Sequence, residues 1–140
     1  MDWKLELVLV PVSDVDRDKA FYTEKAGFDL DLDHRVGEEF RVVQLTPPGS
    51  AASITIGKGM PQGEPGSYQG MHLVVADIEG AREDLVGRGI DVGDVFHFGP
   101  SGQAIGPDPD HRDYGSFAPF SDPDGNGWLL QEVRRRAPGR

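Results

Sequence analysis

Leu9-Val10-Pro11-Val12-Ser13-Asp14-Val15 and Leu73-Val74-Val75-Ala76-Asp77-Ile78 decide the fold, because they are the same phrase written twice. Each is an apolar strand running into an aspartate. Each is followed by an amphipathic segment, a glycine stop and another strand: Lys25-Ala26-Gly27-Phe28-Asp29-Leu30 after the first, Gly87-Arg88-Gly89-Ile90-Asp91-Val92 after the second. Two copies with so long a period do not make a solenoid. They make one domain built from two similar modules, with any site expected where the modules face each other.

Working outward, Ser13 or Asp14 can cap a helix over about 14–26, where Val15, Lys19, Phe21, Tyr22 and Ala26 recur near helical spacing and Gly27 supplies the stop. Strands are expected at 4–12, 28–35, 39–46 and 52–58, with Pro11 marking an edge or an end of pairing and Thr46-Pro47-Pro48-Gly49-Ser50 a turn. The Gly- and Pro-rich residues 59–69 read as a linker. The second module repeats the order: strand 70–76, cap Asp77, helix 78–88, strand 92–98, a long Gly-, Pro- and Asp-rich loop over 99–115, then strands 116–121 and 127–133. The expectation is a single α+β domain over 1–140: tandem βαβββ modules (3–58 and 70–134) forming curved mixed sheets around a concave pocket.

Composition narrows function. With 37% hydrophobic and 27% charged residues the 140-residue chain is an ordinary globular protein long enough for a real core. The absence of cysteine excludes disulfides, thiolate catalysis and thiolate metal sites. A formal net charge of -10 and a sequence pI near 4.7 disfavour a nucleic-acid partner. The only basic cluster, Arg134-Arg135-Arg136, reads as a solvated end. No signal peptide and no apolar run of roughly 18 residues is seen, so the reading is a cytoplasmic protein without a membrane partner.

At Phe120-Ser121-Asp122-Pro123-Asp124-Gly125-Asn126-Gly127-Trp128-Leu129-Leu130-Gln131-Glu132, together with Val12-Ser13-Asp14-Val15-Asp16-Arg17-Asp18-Lys19-Ala20-Phe21-Tyr22 and Lys25-Ala26-Gly27-Phe28, the chain resembles the vicinal oxygen chelate superfamily. That group includes glyoxalase I, bleomycin-resistance proteins, fosfomycin-resistance enzymes and extradiol dioxygenases. The resemblance implies paired βαβββ modules. It also implies metal ligands, in the metal-dependent members, on the first strand of each module and on the last strand. Carried over by the local motifs, those positions fall on Leu7, Met71 and Leu129. The remaining one falls near Ile54 to Ile56, where only Thr55 offers an oxygen. Leucine has no lone pair to give and a thioether is a poor partner for hard divalent ions.

The resemblance therefore implies the bleomycin-resistance branch: a metal-free, cofactor-free binder of a small apolar or aromatic ligand in the concave cleft, working as a homodimer. The alternative is a metal-dependent glyoxalase- or dioxygenase-like enzyme with non-standard ligands. No catalytic residue can be named. The expected ligand wall is Leu7, Leu9, Met71, Leu73, Leu129 and Gln131, with Val75 on the same face and Gln131 as a polar anchor. Phe96, Phe98, Tyr114, Phe117 and Trp128 could add aromatic surface. A one-residue offset puts His72 and Glu6 on the face away from that wall. His97 alternates away from Phe96 and Phe98. His111 and His34 read as exposed, and Asp14 and Asp77 as caps. Asp122 and Asp124 read as turn residues rather than a calcium site.

Overall fold

The computed structural model describes residues 1–135. Arg136, the last of the arginine run, lies outside the described residues. The chain divides into two compact units: Met1–Tyr68 with Asp122–Asn126, and Gln69–Ser121 with the residues from Gly127 onward.

Unit 1 is a four-stranded mixed sheet in the order β1-β4-β3-β2, from β1 (Leu7–Leu9), β2 (Asp29–Val36), β3 (Phe40–Thr46) and β4 (Ser53–Lys58). β1 runs parallel to β4 and the other pairs are antiparallel. Helix α1 (Val15–Ala20) begins where the Asp14 carboxylate accepts the Arg17 N–H at 3.1 Å, and it continues into a π-helical turn over Phe21–Lys25. Gly27, at φ +77°, ends it. One sheet face and the helix share a core of Val10, Phe21, Tyr22, Val43, Leu45, Ile54 and Ile56. Each such side chain contributes about 1.5–3 kcal/mol by leaving water. The first strand is shorter than the 4–12 stretch expected from its alternation.

Unit 2 repeats this plan and adds to it. β5 (Met71–Val75), α2 (Ile78–Gly87), β6 (Phe96–Gly99), β7 (Gly102–Ile105), β8 (Ser116–Ser121) and β9 (Gly127–Glu132) build a five-stranded sheet in the order β5-β9-β8-β6-β7. β5 is parallel to β9, as β1 is to β4. Asp77 caps α2 through the Gly80 N–H at 3.1 Å. The expected loop over 99–115 thus contains a strand. Gly102, at φ +107°, lets the chain turn back at once, and β7 pairs with β6 from Phe96↔Ile105 to Gly99↔Gly102. The core holds Ile78, Leu85, Val92, Ala118, Phe120, Trp128 and Leu130, with Phe120 and Trp128 stacked at 6.2 Å.

The turn Asp122–Asn126 groups with unit 1, and its side chains show why. Asp122 accepts from the backbone of Asp124 and Asn126, from the Asn126 amide and from the Tyr22 hydroxyl at 2.8 Å. Asp124 accepts from the Ser13 hydroxyl at 2.6 Å and its backbone N–H at 3.1 Å, and pairs with Arg17 at 3.0 Å. Both aspartates are spent on structure.

Beside them lies Asp18, fully buried. Burial first, then its hydrogen bond to Asp124, pushes the Asp18 carboxyl up to about 8. Burial opposes the ionised form of Asp124 too, but the hydrogen bonds from Asp18, Ser13 and Arg17 hold it at about 2. The Asp18 carboxyl therefore keeps its proton at neutral pH while Asp124 is ionised. Because the Asp18 value is raised on folding, the stability it confers is full below the ordinary value of 3.8 and is lost as pH rises through about 8. The depressed Asp124 acts with the opposite sign, and only below 3.8. Urea unfolding at pH 5 and pH 8 checks this: Asp18→Asn should gain on the wild type as pH rises, and an equal difference at both pH values refutes the raised Asp18 value.

Candidate functional site

The strand pairing in unit 2 sorts its residues onto two faces. Trp128, Leu130 and Glu132 of β9 lie beside Met71, Leu73 and Val75 of β5 and beside Phe120 and Ala118 of β8. This is the face that carries the core. The alternate residues make the other face: Leu129 and Gln131 beside His72 and Val74, then Pro119 and Phe117, then Phe96 with Phe98, and Ile105.

That second face is aromatic and accessible. Phe96 stacks on Phe117 with centroids 5.5 Å apart, and Phe98 meets Phe117 edge-on at 5.8 Å. His72 meets the same ring at 6.5 Å. Phe98 is 60% exposed and Ile105 89%, so this apolar surface is not a finished core. Gln103 and Ser121 lie at its margins, and two further polar groups stand beside the rings and Leu129. Gln131 donates from Nε2 to the Tyr114 carbonyl at 3.3 Å, which leaves its Oε1 to accept. His72 Nδ1 lies 2.6 Å from the Gly70 carbonyl, which can only accept. In the neutral ring this places the proton on Nδ1 and a lone pair on Nε2.

The loop over 106–115 borders the Gln131 end. Asp108 receives a two-pronged pair from Arg112 at 2.7 and 3.0 Å, and those hydrogen bonds hold its carboxyl well below the usual carboxylate range. Asp108 N–H donates to Ser116 at 2.8 Å, and Tyr114 N–H to the Glu132 carbonyl at 2.8 Å. His111 and Tyr114 stand in the left-handed region at φ +48° and +68°. His111 is held there by Glu132, at 2.7 Å from Nδ1 to Oε1. Glu132 also accepts the Ile78 N–H at the start of α2, at 3.0 Å, and lies 3.5 Å from Arg134.

Several expectations need correction. Met71 and Leu73, with Val75, do not share a face with Leu129 and Gln131. The parallel pairing sets Met71 against Trp128 and His72 against Leu129, so the β5 side chains divide one residue out of step with the expected wall. His72 consequently lies on the Leu129 face, not away from it. Trp128 is core, whereas Phe96, Phe98 and Phe117 are not. His111 is not a solvated loop residue but the partner of a buried carboxylate. Leu7 and Leu9 are in unit 1, half-buried, beside Ser53 and Thr55. The aromatic face was legible in the alternation of Phe96-His97-Phe98, as His97 does turn away to the Gly106 carbonyl at 2.8 Å. The His111–Glu132 contact, 21 positions apart, has no local signal.

Residues 4–130 match the sequence model of the Glyoxalase/Bleomycin resistance protein/Dioxygenase superfamily. The chain belongs to that superfamily. It is 31% identical over 126 residues to YetH of Bacillus subtilis (strain 168), an uncharacterized protein, covering 89% of this chain and 94% of the relative. Among solved structures it is similar to TnmS3, an antibiotic binding protein from Streptomyces sp. CB03234: 34% identity, TM-score 0.73, 94% of this chain and 97% of that one. A glyoxalase/bleomycin resistance protein from the same source is 35% identical with TM-score 0.70, covering 92% of this chain and all of that one.

The donor set does not fit the divalent ion that the superfamily's metal-dependent members hold. Leu7 and Leu129 bring no lone pair, and the strand pairing puts His72 rather than Met71 beside Leu129, so these positions offer a single imidazole. Among the described residues, no three His, Asp or Glu side chains stand close enough together to hold an ion.

The two faces predict opposite tolerances. Leu73→Glu sets a charge among core residues and should unfold the protein or cost several kcal/mol, whereas Leu129→Glu and Phe98→Ala should leave unfolding free energy within about 1 kcal/mol. Urea denaturation separates them, and equal losses at Leu73 and Leu129 would refute the face assignment.

Proposed function

We propose that the protein is a metal-free small-molecule binding protein, of the bleomycin-resistance kind within its superfamily, whose ligand is an apolar, flat aromatic compound. The observation that carries this reading is the accessible aromatic face: Phe96, Phe98 and Phe117 packed against one another, with Leu129 beside them and Gln131 and His72 as polar groups near the rings. Its similarity to an antibiotic binding protein supports a binding role, and among the described residues no cluster of three His, Asp or Glu side chains argues for metal chemistry. The wall is Leu129, Gln131, His72 and the three phenylalanines. Leu7 and Leu9 belong to the same class of apolar lining on the first sheet.

A flat ligand stacks on aromatic rings and removes apolar area from water. At about 25 cal/mol per Å² it gains several kcal/mol before the costs of ordering. Gln131 Oε1 and His72 Nε2 would orient a donor on that ligand. The working form is a homodimer in the cytoplasm. Among the described residues no helix is long and apolar enough to cross a membrane.

A neutral fluorescent probe, 1-aminoanthracene, tests the reading. The wild type should bind it saturably. Phe117→Ala should weaken binding about tenfold, and Leu129→Glu should abolish it by charging the wall. Gln131→Ala should cost about 1 kcal/mol, one hydrogen bond. Unchanged affinity in folded Phe117→Ala and Leu129→Glu proteins sinks the aromatic-face site. Elemental analysis after mild purification should find far less than one equivalent of Zn, Ni, Mn or Fe. Light scattering should give twice the 15.2 kDa chain mass, and a single-chain mass at micromolar concentration excludes the dimer.

A further inference from the structure

The face of the four-stranded sheet that turns away from its core carries a different chemistry. Val43, Leu45, Ile54 and Ile56 are the core face, and Leu7, Leu9, Ser53, Thr55, Gln44 and Thr46 are the other. There the hydroxyl protons all run one way. The Thr46 hydroxyl donates to the Asp31 carboxylate. With that proton committed, the 2.6 Å contact between the Thr46 and Ser53 hydroxyls is a donation from Ser53. Ser53 Oγ can then only accept, and it does so from Gln44 Nε2 at 3.4 Å, which fixes which way the Gln44 amide points.

Thr55 stands outside this chain. It lies on β4, between Gln44 and Leu9 in the pairing, and it is 2% exposed. Its Oγ1 has no hydrogen-bond partner. A buried, unmade hydroxyl bond is a standing cost that valine, of the same shape, would avoid.

We propose that Thr55 anchors a binding site on this sheet face for the carbonyl oxygen of an otherwise apolar small molecule. The group that satisfies the uncommitted Thr55 proton is an acceptor, and the neighbouring Ser53 and Thr46 hydroxyls do not supply one because their own bonds run toward Asp31. A ketone or amide oxygen accepts without bringing a proton that needs its own partner. Leu7 and Leu9, beside Ser53 and Thr55, suit an apolar skeleton. Thr55 Oγ1 is buried, so reaching it takes a side-chain rotamer change on this face, a fast motion. The proposal rests on the reading of the chain as a small-molecule binder, but on residues of unit 1 alone.

The test compares 2-acetonaphthone with 2-ethylnaphthalene, which share a ring system and differ in the carbonyl. Binding of each to the full chain is measured for the wild type, Thr55→Val, Thr55→Ser and Phe117→Ala, together with the Thr55 methyl resonance. The wild type should prefer the ketone about tenfold, the worth of one good hydrogen bond. Thr55→Val should erase that preference and keep the hydrocarbon affinity, while Thr55→Ser should retain it. The ketone alone should shift the Thr55 methyl signal. Thr55→Val should melt no lower than the wild type, and a fall in melting temperature would mean that Oγ1 is already partnered, which overturns the proposal. Equal affinity of the wild type for both probes, or a ketone preference that survives in Thr55→Val, overturns it as well. Hydrocarbon binding that is lost in Phe117→Ala, without any ketone preference, sinks this proposal and leaves the aromatic-face reading standing. Binding of neither probe sinks both.

Discussion

Asp122 accepts four hydrogen bonds, and unit 1 is organised around them. Two come from the turn's own backbone, one from the Asn126 amide and one from Tyr22, 100 positions earlier. Asn126 adds a bond to the Pro11 carbonyl, 115 positions away, and accepts the Tyr68 N–H. All of this is buried: Asn126 and Tyr22 are 0% exposed and Asp122 is 5%. Removing the carboxylate would strand several donors where water cannot replace it, which is costlier than the loss of any one bond. The constraint reaches the backbone as well. A Cβ on Gly66 would lie 2.1 Å from the Asp124 carbonyl, so that position, at φ +81°, admits glycine alone.

The same cluster shows how much of the fold was legible in the sequence. The caps Asp14 and Asp77, the stops at Gly27 and Gly89 and the turn motif are local signals, and each does what its chemistry implies. The coupling of Asp18 to Asp124 is not local. Nothing in the sequence around Asp18 shows that the fold buries it near a carboxylate from the far end of the chain. The β7 strand was hidden for another reason. Gly102-Gln103-Ala104-Ile105 is too short and too mixed to show a period of two, and only its pairing with Phe96-His97-Phe98-Gly99 makes it a strand.

The candidate site was legible in kind but not in register. Alternation shows which residues of one strand share a face. It does not show which face of a neighbouring strand they meet. For β9 the division into Trp128, Leu130 and Glu132 against Leu129 and Gln131 is plain. For β5, Met71-His72-Leu73-Val74-Val75 is apolar at nearly every position, so nothing but pairing sets its phase. Counting from the capping aspartate put Met71 where the structure puts His72.

The pleat of β9 explains how such a face can carry function without burdening the fold. The carboxylate of Glu132 points to the core side, where the α2 N-terminus and His111 use it. One residue away Gln131 points to the other side, where its Oε1 is left to accept. Core-facing and outward-facing positions thus alternate along one strand and are separated by a sheet's thickness. A substitution at Leu129, Phe117 or Phe98 changes the wall while leaving Trp128, Phe120 and Leu130 packed. The two modules use this freedom differently. In unit 2 the non-core face is filled with phenylalanine. In unit 1 it holds a relay of hydroxyls ending at Asp31, with Thr55 outside the relay. One βαβββ plan, written twice, therefore yields two surfaces of different chemistry, because the residues that fold each sheet are not the residues that face outward from it.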